Sequence, residues 1–203
     1  MTDTVQKPLE VEVAPATVER WDDLETLFGP KGAYSGCWCM FWRLKRSDFN
    51  HMSGEDRKAV LKDMTCRNEV PGVLAYVRDQ PVGWCSVGPR EGYTALEKSR
   101  ILKRLDDTPV WSIVCFYVAK SFRNKGVMLE LIRGAVRYAE QQGARVIEAY
   151  PTDMQTYRLA GKRLTGSFGY MGIASVFRAA GFVKVVDASQ TRLIMRYVVN
   201  NGE

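Results

Sequence analysis

The stretch that organises the chain is Val110–Gln142, which reads VWSIVCFYVAKSFRNKGVMLELIRGAVRYAEQQ. It begins with a run that is apolar except for Ser112, as expected for a central strand covered on both faces. A basic turn containing Gly126 follows, and apolar residues then recur at helical spacing from Val127 to Tyr138. A helix that begins in this way presents free backbone N–H groups, supported by the helix dipole. The stretch therefore predicts a phosphate-binding site at the start of the helix.

The neighbouring segments predict a mixed sheet. Val146–Tyr150 follows the helix through a short turn, so we expect it to pair in parallel with the strand before the helix. Val73–Val77 and Val82–Val87 are apolar runs joined by Arg-Asp-Gln-Pro, which is typical of an antiparallel hairpin. Residues 182–186 and 192–199 form a second hairpin, and its exposed edge would allow a homodimer.

Helices are predicted over 17–28, 53–67 and 173–180, where apolar residues recur at helical spacing. Between the first two lies 31–43, KGAYSGCWCMFWR, whose aromatic cluster is typical of a lid or substrate wall. Residues 152–169 lack apolar periodicity, and a stretch of that length without regular structure is usually functional.

Composition indicates one domain, residues 1–203, of ordinary globular character, with 46% hydrophobic and 26% charged residues. With no long apolar run and no apolar leader at its start, the chain is expected in the cytoplasm, with no membrane association. Five cysteines, an odd number, indicate free thiols. Cys37 and Cys39 are too close for a typical zinc site, and His51 is the only histidine, so no metal is expected.

The net charge of +6 favours an acidic partner. The basic residues are dispersed and do not gather on one face, so a small anionic ligand is favoured over nucleic acid.

The order of these elements, together with the turn Arg123-Asn124-Lys125-Gly126-Val127-Met128, resembles the GNAT superfamily of N-acetyltransferases. That family carries Arg or Gln, two residues, Gly, one residue, then Gly or Ala directly after its fourth strand, and Met128 is the departure here. Phrases such as CWCMFWR and VGWCSVGPREGY are similar to an uncharacterised branch of the family. The resemblance implies an α/β (α+β) GNAT fold: a mixed central sheet of about six to seven strands, helices on both faces, and a V-shaped splay between the fourth and fifth strands.

The resemblance also implies acetyl-CoA as the cofactor. Successive amides of the turn would hold its pyrophosphate, and the backbone of the fourth strand would pair with its pantetheine arm. The residues that correspond to these roles are Phe116, Val118, Arg123, Asn124, Lys125, Gly126, Val127 and Met128.

Acyl transfer to an amine needs a neutral amine, a donor for the oxyanion and a proton for the departing thiolate. The resemblance assigns the oxyanion to the Phe116 amide. Ser112 stands where many relatives carry a Glu base, and Phe177 where many carry a Tyr acid. The candidate catalytic residues are therefore Glu148, Tyr170 and Ser112, with Asp153, Tyr117 and Tyr150 as further candidates. A solvated carboxylate is the alternative explanation for Glu148 and Asp153, and a packing aromatic for the three tyrosines.

Aromatic and polar residues around the lid segment would line the acceptor pocket: Trp38, Cys39, Trp42, Arg90, Tyr93 and Tyr150. An aromatic wall suggests an apolar or cationic acceptor, although core packing explains the aromatic residues equally well. A covalent route through Cys115, activated by His51, is a rival to direct transfer.

The sequence thus predicts an N-acetyltransferase that moves an acetyl group from acetyl-CoA to a primary amine, of a small molecule or a protein, by direct transfer in a ternary complex. The alternative is a catalytically weak GNAT-fold module that binds CoA or another protein, which Ser112 and Phe177 would permit.

Overall fold

A computed structural model describes residues 9–156 and 169–199. Within them the strands are β1 Glu12–Pro15, β2 Gly72–Val77, β3 Gln80–Pro89, β4 Trp111–Val118, β5 Val146–Ala149, β6 Val183–Asp187 and β7 Leu193–Val198. The α-helices are α1 Trp21–Phe28, α2 Arg46–His51, α3 Gly54–Cys66, α4 Thr94–Glu97, α5 Val127–Gln141 and α6 Ala174–Ala179. Short 3-10 turns precede α1, α4 and α5.

The strands form one seven-stranded sheet in the order β1-β2-β3-β4-β5-β7-β6. Every neighbouring pair is antiparallel except β4 and β5, which run parallel and are joined by α5. Both predicted hairpins and the predicted parallel unit are confirmed, and so is the mixed sheet with helices around it. The terminal hairpin places β6 at the sheet edge, where Val183 is 69% exposed.

The parallel pair opens after only three residues. Trp111–Ile113 pairs with Ile147–Ala149, whereas β4 continues against β3 as far as Val118. Ile113 and Cys115 face consecutive residues of β3, so Val114 is an extra residue, a β-bulge. A bulge bends its strand and reverses the alternation of side chains beyond it. The bulge at Val114 therefore begins the splay between β4 and β5.

The helix α5 covers one face of the sheet and forms the main core there. Its buried residues Leu131 and Ala135 belong to the same buried cluster as Ile113 and Ile147 of the sheet. The helix α5 lies very close to β1 at Gly134, where an added Cβ would be 2.2 Å from Val13 Cγ1.

The opposite face is covered by α1 and by the segment predicted to be a lid. Trp38 stacks on Trp21 with ring centroids 6.1 Å apart, and Met40 is fully buried. Trp38, Cys39 and Met40 are therefore core, whereas Tyr34 is 67% exposed and the residues from Phe41 onward are partly exposed.

Helix starts follow local chemistry. Ser53 caps α3 in a reciprocal box, in which its Oγ accepts from the Asp56 amide at 3.1 Å and its own amide donates to the Asp56 carboxylate at 2.8 Å. Thr17 makes no such side-chain bond and opens a 3-10 turn, Val18–Arg20, ahead of α1. None of the helices in the described ranges combines the length and apolarity needed to cross a membrane.

Candidate functional site

The turn before α5 leaves its backbone donors free. Asn124 and Gly126 adopt left-handed φ values of 60° and 83°. No backbone carbonyl of the described residues accepts a hydrogen bond from the amides of Asn124 to Met128. A Cβ on Gly126 would have nothing within 4 Å, so the glycine is needed here for its φ and for access from outside. Five successive N–H groups therefore line an open, electropositive helix start.

Side chains hold this turn from behind. Arg123 donates from Nε to the carbonyl of Val118 at 3.0 Å, which ties the turn to the end of β4. Lys125 lies over the ring of Phe122, its Nζ 5.6 Å from the centroid. Met128, the departure from the family pattern, packs against the main core, so it leaves the anion-binding side clear.

The splay exposes one edge of β4. The amide of Ala119 donates to Val82 of β3, so the amides of Phe116 and Val118 face the opposite, open side. Phe116 donates at 2.6 Å to the carbonyl of Tyr170. The predicted oxyanion donor therefore already has an acceptor, supplied by the chain segment that borders the cleft.

That segment is held by close packing around Gly172. Its φ is 85°, and an added Cβ would lie 2.7 Å from Phe177 and 3.2 Å from Phe116. The rings of Phe116 and Phe177 meet edge to face at 5.9 Å. Phe177, at the position where many relatives carry a Tyr acid, is fully buried in the main core.

Below the bulge, several of the predicted site residues join one buried network. Ser112 on β4 lies directly opposite Glu148 on β5, which lies opposite Arg196 on β7. Arg90 is 0% exposed and donates from Nη1 to Glu148 at 3.0 Å and to Tyr150 at 2.7 Å. Its other donors bind the Glu97 carboxylate and the Leu102 carbonyl.

The donors and acceptors of this network are fully assigned. Glu148 receives Arg90 and Tyr150 on Oε1, at 3.0 and 2.8 Å, and Arg196 on Oε2 at 2.9 Å. The single phenolic proton of Tyr150 goes to the carboxylate, so Ser112 must donate its own proton to Tyr150, at 2.8 Å. Burial, and next the charge of Glu148, raise the pKa of Tyr150 far above its usual range. Glu148 and Ser112 are thus occupied in holding the sheet together.

The predicted residues Trp38, Cys39 and Tyr93 are buried. The Cys39 thiol contacts the Cys115 sulfur at 3.1 Å and accepts from the Trp84 indole at 3.0 Å. The Tyr93 hydroxyl lies 3.1 Å from both Ser86 Oγ and Arg43 Nη2.

The two partners of the covalent rival are each engaged elsewhere. His51 donates from Nδ1 to the Ser47 carbonyl at 2.7 Å, and the sulfur of Cys115 contacts Cys39. Asp153, a substitute base, lies 3.9 Å from the Arg178 guanidinium.

Tyr170 and Trp42 are two predicted residues that remain partly exposed. Burial raises the pKa of the Tyr170 phenol, and the charge of Arg192 opposes it. The indole N–H of Trp42 is buried and lies near that phenol, where it also acts to lower the pKa of Tyr170. Residues 157–168, most of the stretch predicted to be functional, lie outside the described residues.

The sequence did not single out several residues that the fold brings to these sites. Arg196 and Glu97 complete the buried network, and Lys45, Arg46, Lys98 and Arg192 lie around Trp42 and Tyr170. Strand alternation on β7 would have pointed Arg196 to the face of Glu148. Lys45 immediately precedes α2 and Lys98 immediately follows α4, and neither helix carries a motif.

A parallel pair that splays above an open helix start is the architecture of the GNAT acyltransferases, and comparison with solved structures agrees. A ribosomal-protein-alanine N-acetyltransferase from Brucella melitensis matches with a TM-score of 0.51 at 17% identity, over 93% of this chain and 99% of that one. PaiA N-acetyltransferase from Thermoplasma acidophilum, in complex with coenzyme A, matches with a TM-score of 0.51 at 13% identity, over 94% and 99%. YncA from Salmonella typhimurium, solved with its cofactor acetyl-CoA, matches with a TM-score of 0.51 at 12% identity, over 95% of each chain.

A sequence model of the acetyltransferase (GNAT) family matches residues 38–164, more than half of the chain. The chain therefore belongs to the GNAT family of acetyltransferases. No curated protein is a significant match.

Proposed function

We propose that this protein is an acetyl-CoA-dependent N-acetyltransferase that acts on a primary amine. The observation that carries the proposal is the continuity of the open β4 edge with the free amides at the start of α5. The amides of Phe116, bonded to the Tyr170 carbonyl, and of Val118 face the cleft, and those of Asn124 to Met128 follow without a backbone acceptor among the described residues. An extended arm that ends in a pyrophosphate matches this line of donors, because strand pairing and helix-start anion binding each use backbone groups.

The transfer is direct. The amine lone pair forms the new C–N bond to the acetyl carbon, the C–S bond breaks, and the sulfur leaves with the bonding electrons. The proton lost by the amine finally reaches that sulfur. Tyr170 is the residue we assign to this last transfer, because its partly buried phenol has a raised pKa and keeps its proton at neutral pH.

Glu148 is not assigned as the base, because three donors already bind its two oxygens. We assign deprotonation of the amine to water at the open mouth of the cleft. The rate should then follow the protonation of the acceptor itself, rising with pH until the amine is neutral.

A matched pair of glycine variants tests cofactor binding. Gly126 and Gly143 lie beyond opposite ends of α5, with φ values of 83° and 86°, and neither has an atom within 4 Å of a built Cβ. Changing either to Ala should cost about 1 kcal/mol of stability through the same backbone strain. Only Gly126→Ala should also weaken binding of acetyl-CoA, measured by calorimetry and by the rise in melting temperature. Equal acetyl-CoA affinity in the two variants would count against the assigned site.

One observation favours a second function, a module that binds CoA without efficient transfer. The Phe116 amide donates to Tyr170, and Ser112 and Glu148 are occupied. Thiol release with a panel of amines separates the two functions. Binding of acetyl-CoA with no thiol released by any amine would establish the module and exclude the transferase.

A further inference from the structure

A cavity of about 290 Å³ lies beside the cleft, on the sheet face opposite α5. It is open to solvent and lined by Trp42, Lys45, Arg46, Ala95, Lys98 and Ser99. The floor is fixed by the backbone, because the Ala95 amide donates to the Trp42 carbonyl at 2.9 Å. The start of α2 and the end of α4 therefore converge on this space.

The cavity carries positive charge that no described carboxylate neutralises. Lys45, Arg46 and Lys98 form no ion pair with any residue in the described ranges. Arg46 is held in place by the Phe41 ring, with its guanidinium carbon 3.6 Å from the centroid. The acid next to Lys98, Glu97, is already bound by Arg90 and Arg104, and the acid nearest to Arg46 along the chain, Asp48, accepts from the Ser47 hydroxyl and does not line the cavity. The lining thus offers several charged donors and lacks a carboxylate.

Aromatic contacts connect the cavity to the proposed reaction centre. The rings of Trp42 and Phe41 meet at 5.2 Å, and those of Phe41 and Tyr170 at 6.2 Å. The Tyr170 carbonyl accepts from Phe116, the amide assigned to the cleft. Arg192, which has no ion-pair partner in the described part of the chain, extends the positive charge towards the Tyr170 phenol.

We infer that the acceptor is a small amine that also carries an anionic group, a carboxylate or a phosphate, bound by the cationic lining of this cavity. The inference rests on the proposed transferase function and names the substrate class of the same site. A volume near the lower limit for ligand pockets suits a small molecule. Charge-assisted hydrogen bonds from unpaired Lys and Arg are strongest to such anions.

This class differs from the apolar or cationic acceptor that the aromatic residues alone suggested. Trp38 and Tyr93 are packed in the core, and the side chains that face the cavity beside Trp42 are mainly cations. A second cation in this space would be repelled. The same positive charges lower the pKa of a bound ammonium group and so favour the neutral amine, which is the nucleophile. This matters because no carboxylate is assigned as the base.

Equilibrium binding without acetyl-CoA tests the inference independently of turnover. Phosphoethanolamine and β-alanine are titrated by calorimetry against ethanolamine and propylamine, so that each anionic amine has a neutral-tailed counterpart. The anionic amines should bind about tenfold more tightly, a ratio that should fall as salt is raised. Comparison of the two anionic amines shows which anion is preferred.

The double variant Lys45→Ala/Lys98→Ala should abolish this preference. The control Arg137→Ala/Lys184→Ala removes the same charge from α5 and the β6 edge, and should retain it. Equal binding of anionic and neutral amines, or a preference unchanged in the cavity variant, would overturn the inference.

Thiol release from acetyl-CoA is then measured with the same four amines. Higher kcat/KM for the anionic members supports both the inference and the proposed function. Transfer that favours the neutral amines overturns the inference alone. Preferential binding of the anionic amines without transfer to any amine overturns the transferase and leaves the anion site established.

Discussion

Replacing Glu148 by Gln should lower the stability of the protein, because Glu148 is a partner in a buried ion pair. It should not remove the catalytic base, since we do not assign that role to Glu148. Arg90 and Glu148 are each 1% exposed in their side chains, and their ion pair is 3.0 Å long. Breaking a buried pair leaves an uncompensated charge in the interior and costs about 3–5 kcal/mol. The Gln amide would also place a donor against either Arg90 or Arg196. We expect urea unfolding to show that loss, and melting to fall by about 6–20 °C for a domain of this size.

The control is Glu130→Gln on α5, where Glu130 pairs with Arg133 at 2.8 Å on the surface. Surface pairs contribute at most about 1 kcal/mol, so this variant should remain close to the parent. The double variant Arg90→Met/Glu148→Met removes both buried charges and should recover most of the loss. A loss for Glu148→Gln no larger than the control, together with a large fall in kcat, would refute the structural assignment and make Glu148 the base.

Three further outcomes are expected. Tyr170→Phe should lower kcat about 10–100-fold with little change in KM for acetyl-CoA, in steady-state assays, if its phenol supplies the proton; an unchanged kcat would contradict that role. Gly134→Ala should cost about 1–3 kcal/mol in urea unfolding, because the new Cβ meets Val13 at 2.2 Å, and adding Val13→Ala should relieve part of the loss. Burial, and next the neighbouring Cys39, raise the pKa of Cys37 to about 11. The Cys37 thiolate is therefore scarce at neutral pH, and its population increases only as the pH rises towards that value. Cys66 is exposed, so the fastest phase of thiol titration at pH 8 should disappear in Cys66→Ser and persist in Cys37→Ser.

The sheet and its parallel unit were predictable because they depend on local patterns. The alternation of apolar residues in strands and their helical spacing in helices reflect which face of each element meets the core. Anion binding at the glycine turn uses backbone N–H groups, which are present whatever the side chains are. The free amides at Gly126 and the inward direction of Met128 follow from the same local logic.

The acceptor side was not predictable in the same way, because it depends on contacts between distant segments. Trp38 packs against Trp21 and Phe28 of α1. The sequence of its own segment does not show whether it is a core residue or lines a pocket. Arg90 and Glu148 were expected to have separate roles, and only the folded structure, which brings the turn after β3 beside β5, shows that they form a buried ion pair. A pairwise neutralisation of this kind has no short sequence signature.

The bulge at Val114 divides β4 into two parts with opposite chemistry. Before the bulge, Ser112 lies where β4 pairs with β5 and its hydroxyl donates to Tyr150. A proton can leave that hydroxyl only if this buried hydrogen bond is broken. After the bulge, the amides of Phe116 and Val118 face away from β3 into the splay, where a ligand that pairs with this edge takes the place of the Tyr170 carbonyl on the Phe116 amide. Ligand binding on this part of β4 exchanges a backbone hydrogen bond at the border of the cleft and leaves the buried network intact. Substitutions before the bulge should therefore act mainly on stability, and those after it mainly on acetyl transfer.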